Sequence, residues 1–135
     1  MYKHILVPVA FDDDHDPAAA LEATRKLAAP DAQVTLVHVM ADVPGYAISY
    51  MPPGYSDELK RTLQASLDKL AEGFDNARGV LREGSPANEI LALAEESGAD
   101  CIVIASHRPG FGDYLIGSTA ARVVRHAHCS VLVLR

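Results

Sequence analysis

The 135-residue chain has no tryptophan, only two cysteines and no excess of basic residues. Each shortage closes off a class of protein. Two cysteines, Cys101 and Cys129, are too few to staple a small secreted fold, so they read as reduced structural thiols. With 12 Lys and Arg against 18 Asp and Glu, the net charge is -6. An acidic chain without a basic run has no electrostatic footprint for nucleic acid or anionic lipid. No apolar run approaches the roughly 20 residues of a membrane span. The stretch Met1–Pro8 makes a poor signal peptide, because its short apolar part ends at Pro8 and an acidic cluster follows. The expected compartment is therefore the cytoplasm, with no nucleic-acid or membrane partner.

What remains is ordinary globular composition, 49% hydrophobic and 22% charged. The length predicts one domain over residues 1–135. Ile5 to Ala10, Val34 to Met40, Cys101 to Ala105 and Val131 to Leu134 are nearly unbroken apolar runs. Strands of a parallel sheet look like this, since helices cover both faces. A less apolar strand over Ala77 to Glu83 carries Arg78, Gly79 and Arg82, and suits a sheet edge.

Helical patterns alternate with these strands. Asp16-Pro17 predicts a cap and first turn, with Leu21, Thr24, Leu27 and Ala28 on one face. The carboxylates Asp12, Asp13, Asp14 and Asp16 suit that helix's dipole; alternatively, one of them reaches a ligand or its magnesium ion. Ser56 predicts a cap for a helix whose apolar face is Leu59, Leu63, Leu67, Leu70 and Phe74. Ser85-Pro86 opens another, with Ile90, Leu93 and Ala94 inward, and Gly98 ends it. A last helix over Ser118 to Ala127 turns Ala120, Val123, Val124 and Ala127 inward. Residues 41–55, with Pro44, Gly45, Pro52, Pro53 and Gly54, read as a long loop. Its Tyr46, Tyr50, Met51 and Tyr55 either cover a ligand or partner or pack back on the protein.

Alternating strands and helices predict a doubly wound, five-stranded parallel sheet with right-handed crossovers, Rossmann-like, in the order 3-2-1-4-5. In that order the winding reverses between strands 1 and 4, and ligands bind beyond the carboxyl ends there. The candidate residues are thus Pro8 to Asp12 and Ala105 to Thr119. The apolar strand Val131–Leu134 would form a bare edge, which a second copy of the chain would cover; a homodimer is expected.

The segment Ala105 to Thr119 is glycine-rich and feeds the last helix. Free N–H groups of Gly117, Ser118 and Thr119, with the helix dipole, predict an anion site, and His107 and Arg108 offer positive charge. Gly112-x4-Gly117-Ser118-Thr119 lacks the P-loop lysine and does not follow a strand, so it is no P-loop. His126, His128 and Cys129 sit too close together at a turn to converge on a metal. His4 and His38 read as satisfied core-edge histidines. Adjacent Ser106 and His107 diverge, so no nucleophile with a base partner is present.

Ile5-Leu6-Val7-Pro8-Val9, Val34 to Val39, Gly84 to Ile90, Gly117-Ser118, and Val123 to Ala127 followed by Ser130 to Arg135 together resemble the universal stress protein family. The resemblance spans the whole chain and implies the adenine nucleotide α-hydrolase-like fold. Many members bind ATP without rapid turnover and dimerise through strand 5. By that resemblance Pro8, Val9, Ala10 and Val39 surround the base, while Ala105, Ser106, His107, Arg108, Gly117, Ser118 and Thr119 surround the phosphates. It implies a regulatory protein holding ATP, with or without Mg2+, rather than an enzyme, and a protein partner not named by the sequence. The chain departs from the family's G-x2-G-x9-G-(S/T) pattern. Ala105 and Arg108 replace its first two glycines, the spacing to Gly117 is one residue shorter, and Ala10 replaces an acidic residue. Arg108 would exchange a backbone contact for a charged one. The alternative is a dimeric stress or interaction protein that binds no nucleotide.

Overall fold

A computed structural model describes residues 1–11, 16–42, 44–106 and 117–135. The elements are β1 (Tyr2–Pro8), α1 (Ala18–Leu27), β2 (Ala28–Met40), α2 (Gly45–Ile48), α3 (Tyr55–Ala71), β3 (Ala77–Glu83), α4 (Pro86–Ser97), β4 (Cys101–Ala105), α5 (Ser118–His126) and β5 (Ser130–Leu134). All pairings are parallel and the order is β3-β2-β1-β4-β5, as the alternation of apolar runs and amphipathic helices predicts.

The pleat sorts each strand between two cores. Ile5 and Val7 of β1 join Leu36, Cys101 and Val103 under α1 and α3, with Ala20, Leu21 and Leu67. Leu6 points the other way and joins Val37, Ile102 and Ile104 under α4 and α5, with Ile90, Leu93, Ala120 and Val123. This explains why the central strands lack an alternating pattern: both faces are buried. Edge strand β3 is secured by charge and close approach. Arg82 binds Glu89 at 3.1 Å and Glu96 at 2.9 Å on α4, while Gly79 lets α3 approach through Leu67.

The helix boundaries correct several expectations. Helix α3 begins at Tyr55 behind Gly54, whose φ of 80° only glycine adopts readily, so Ser56 does not cap it. Helix α1 begins at Ala18, and Asp16 Oδ1 accepts from the Ala18 N–H at 3.0 Å, one position beyond the expected start. Ala28 has already turned to extended geometry and opens β2 rather than closing α1. Val124 is 47% exposed, because α5 is short and buries only Ala120 and Val123. The expected loop over 41–55 contains the one-turn helix α2. Ser85-Pro86 opens α4 and left-handed Gly98 closes it, as expected.

No helix among the described residues is long and apolar enough to cross a membrane.

Candidate functional site

The sheet forks at its centre. β1 pairs with β4 only at Ile5↔Cys101 and Leu6↔Ile102. Beyond Leu6, β1 stays with β2, through Pro8↔Val37 and a Val9 N–H bond to Val37 O at 2.8 Å. β4 stays with β5, through Ala105↔Leu134 and a Ser106 N–H bond to Leu134 O at 2.7 Å. The described parts of the two strands thus diverge beyond Leu6 and Ile102, at the point where the winding of the sheet reverses.

The resulting cavity measures about 250 Å³. Pro8, Val9 and Ala10 of the β1 exit form one wall, and Val37, His38 and Val39 of β2 another. Ile104 and Ala105 close it from β4, Ile90 from α4, and Thr119 from α5. The lining is mainly apolar, with Asp16, His38 and Thr119 as its polar side chains. Such a slot suits a flat apolar-faced group with a few polar edges.

Of the residues expected from sequence, Pro8, Val9, Ala10, Val39, Ala105 and Thr119 meet in this cavity. Ser106, Gly117 and Ser118 stand beside it without lining it. His107 and Arg108, with the glycine-rich stretch up to Ile116, lie outside the described residues, as do Asp12, Asp13 and Asp14. One expectation is corrected. The Gly117 N–H is not free: it donates to Ser106 Oγ at 2.6 Å. The Ser106 side chain is buried and sits within reach of the first turn of α5, so it takes the first of the donors expected for an anion. Among the described residues no other side chain caps α5, and its first turn, with the positive end of the helix dipole, lies beside Thr119 at the cavity rim.

Sequence reading missed Pro17, Ala20, Val37, His38, Pro86, Ile90 and Ile104 as lining residues, and named Asp16 only within a group of four carboxylates. His38 and Pro86 carry a usable signal, since each sits where a strand's carboxyl end meets the next crossover. His38 is also satisfied, as expected of a core-edge histidine: its Nδ1 donates to the Val9 carbonyl at 2.8 Å. His4 bonds to Thr35 Oγ1 at 2.8 Å at the opposite end of the sheet. The tyrosines of 41–55 do not line the cavity, and Tyr46 and Tyr50 are 80% and 86% exposed, so neither packs back on the protein.

Comparison with known proteins decides the lineage. The model of the universal stress protein family matches residues 1–135. The chain belongs to that family. Universal stress protein G of Shigella flexneri is 30% identical over 142 residues, covering 100% of both chains. A universal stress protein of Thermus aquaticus, from the region 3′ to a sulfhydrylase gene, is 34% identical with the same full coverage. Among solved structures, universal stress protein UspA from Lactobacillus plantarum superposes with a TM-score of 0.72 at 25% identity, covering 99% of this chain and 98% of that one. A universal stress protein in complex with cAMP has a TM-score of 0.67 at 22% identity, covering 99% and 97%. One from Archaeoglobus fulgidus in complex with dAMP has a TM-score of 0.65 at 22% identity, covering 99% and 98%. Adenine nucleotides are thus bound by relatives that share this fold.

Proposed function

We propose that this universal stress protein is a regulatory module that holds an adenine nucleotide, ATP with or without Mg2+, in the cavity between β1 and β4, without efficient catalysis. The observation that carries the reading is the fork itself. It puts an apolar slot lined by Val9 and Val39 and the start of α5 on the same rim. The base would lie against those residues, and the phosphates would meet the N–H groups of Ser118 and Thr119. Asp16, whose Oδ1 is engaged by Ala18, has a second oxygen for a sugar hydroxyl or a hydrated magnesium ion. The cAMP and dAMP bound by two relatives support an adenine nucleotide as the ligand class. The working compartment in this reading is the cytoplasm.

A homodimer through β5 belongs to the same reading. β5 ends the sheet, and its Val131, Leu132, Val133 and Leu134 are only half-buried. A second copy would cover them.

The test is mass spectrometry of the supernatant after acid denaturation of freshly purified protein, with ATP titration calorimetry on the same batch. Stoichiometric released nucleotide, or micromolar binding, supports the reading. Neither release nor heat at millimolar ATP would overturn it. The second reading, a dimeric interaction protein without nucleotide, would then stand. The engaged Gly117 N–H and the uncharged Ala10 favour that alternative.

A further inference from the structure

Val9 ends the β1 ladder with an unusual demand. Its N–H is used by Val37 O of β2, and its carbonyl, on the same side of the strand, has no β2 backbone N–H as partner. Val9 is 8% exposed, and a buried carbonyl needs a donor. His38 supplies it from the neighbouring strand, Nδ1 to Val9 O at 2.8 Å. A carbonyl only accepts, so Nδ1 carries the hydrogen of this bond. The ring of Phe11 lies tilted against the same imidazole, with centroids 5.1 Å apart at 57°.

One side chain of β2 therefore grips the chain on both sides of Ala10, by a hydrogen bond before it and an aromatic contact after it. Val9 and Ala10 are one wall of the cavity. Val39, the residue after His38, is another. No ladder bond beyond Val9 N–H to Val37 O is formed there between β1 and β2. Past that bond, His38 joins the Val9–Phe11 stretch to β2.

We propose that His38 is a positioning residue that sets the width of the slot for the nucleotide base. This rests on reading the cavity as an adenine-nucleotide site. The imidazole need not touch the ligand. It holds the Val9–Ala10 wall back against β2, beside Val39, so that the gap on the β4 side stays wide enough for a flat heteroaromatic ring.

The experiment compares wild type, His38→Leu and His38→Asn with three ligands: adenosine, ATP and inorganic tripolyphosphate. Leucine removes the donor, while the asparagine amide nitrogen takes the place of Nδ1. Adenosine affinity should fall about tenfold or more in His38→Leu, the size expected for losing one well-placed hydrogen bond. It should be largely restored in His38→Asn. Tripolyphosphate affinity should be the same in all three, which a general loss of structure would not produce. If His38→Leu fails to fold, His38→Gln replaces it. Its amide reaches the Nε2 position instead of Nδ1, so adenosine binding should fall relative to His38→Asn. Equal adenosine affinity in wild type and the donor-less variant would overturn the inference while the nucleotide reading stands. Wild type that binds neither adenosine nor ATP would overturn both.

Discussion

Ser106 Oγ accepts a hydrogen bond from the backbone N–H of Gly117 at 2.6 Å, joining the end of β4 to the start of α5 across eleven positions of sequence. The hydroxyl is buried, so no water replaces it cheaply. Replacing Ser106 with alanine should lower stability by about 1–3 kcal/mol, the range for stranding a buried donor. Urea unfolding checks this through a lower midpoint at constant slope. Ser106→Thr, which keeps the hydroxyl, should lose much less.

Gly79→Ala should also destabilise, for a steric reason. A Cβ at position 79 would lie 2.6 Å from Leu67 Cβ and 3.2 Å from the Leu67 carbonyl carbon, and Leu67 is fully buried. Helix α3 would have to lift off β3, at about 1–3 kcal/mol for such overpacking. A thermal midpoint equal to wild type would show that α3 moves freely.

Asp100 governs acid sensitivity. Burial disfavours its charged form, but N–H groups of Lys3 at 2.9 Å and His4 at 3.0 Å outweigh that and hold its carboxyl below the usual 3.8. A carboxyl depressed in the folded state stabilises fully above its unfolded value, and that stabilisation fades as pH falls through the folded value. The stability gap between wild type and Asp100→Asn should therefore be constant from about pH 5 upward and shrink below about pH 4. Urea midpoints across pH 3–7 measure it; a gap that widens in acid would contradict the assignment.

Neither thiol should behave as a sensor. Burial, then the nearby Cys129, pushes Cys101 up to about 11, and burial raises Cys129 as well. The two pack on opposite faces of the sheet, Cys101 beneath α1 and α3 and Cys129 beneath α4 and α5. At pH 8 a thiol reagent should label Cys129 slowly and Cys101 only on unfolding, read with single-cysteine variants. Fast labelling of Cys101 in the native protein would refute this.

Strand number, order and the position of the fork were legible in the sequence because burial on both faces writes unmistakable apolar runs, such as Ile5–Val7 and Cys101–Ile104. Helix starts were less legible. Ser56 is a better capping residue than Gly54 by composition, yet the left-handed turn at Gly54 decides where α3 begins. Of the expected residues that meet in the cavity, Pro8, Val9, Ala10, Ala105 and Thr119 follow from the rule of the diverging strand ends, and Val39 from the family resemblance. Contacts made through side chains did not: nothing local distinguishes His38 as the partner of Val9, 29 residues away, or Ser106 as the partner of Gly117. Such pairings exist only once the sheet has assembled.

The fork has a consequence for cooperativity. Within the sheet, β3-β2-β1 and β4-β5 share only two register pairs, so the two cores and the Arg82 ion pairs with α4 supply the rest of the junction. Local opening follows the thinnest boundary. Amides of β4 and β5 should therefore exchange hydrogen as one block, apart from those of β2 and β3. A ligand lying across the gap would weld the two blocks, and protection would rise on both sides at once.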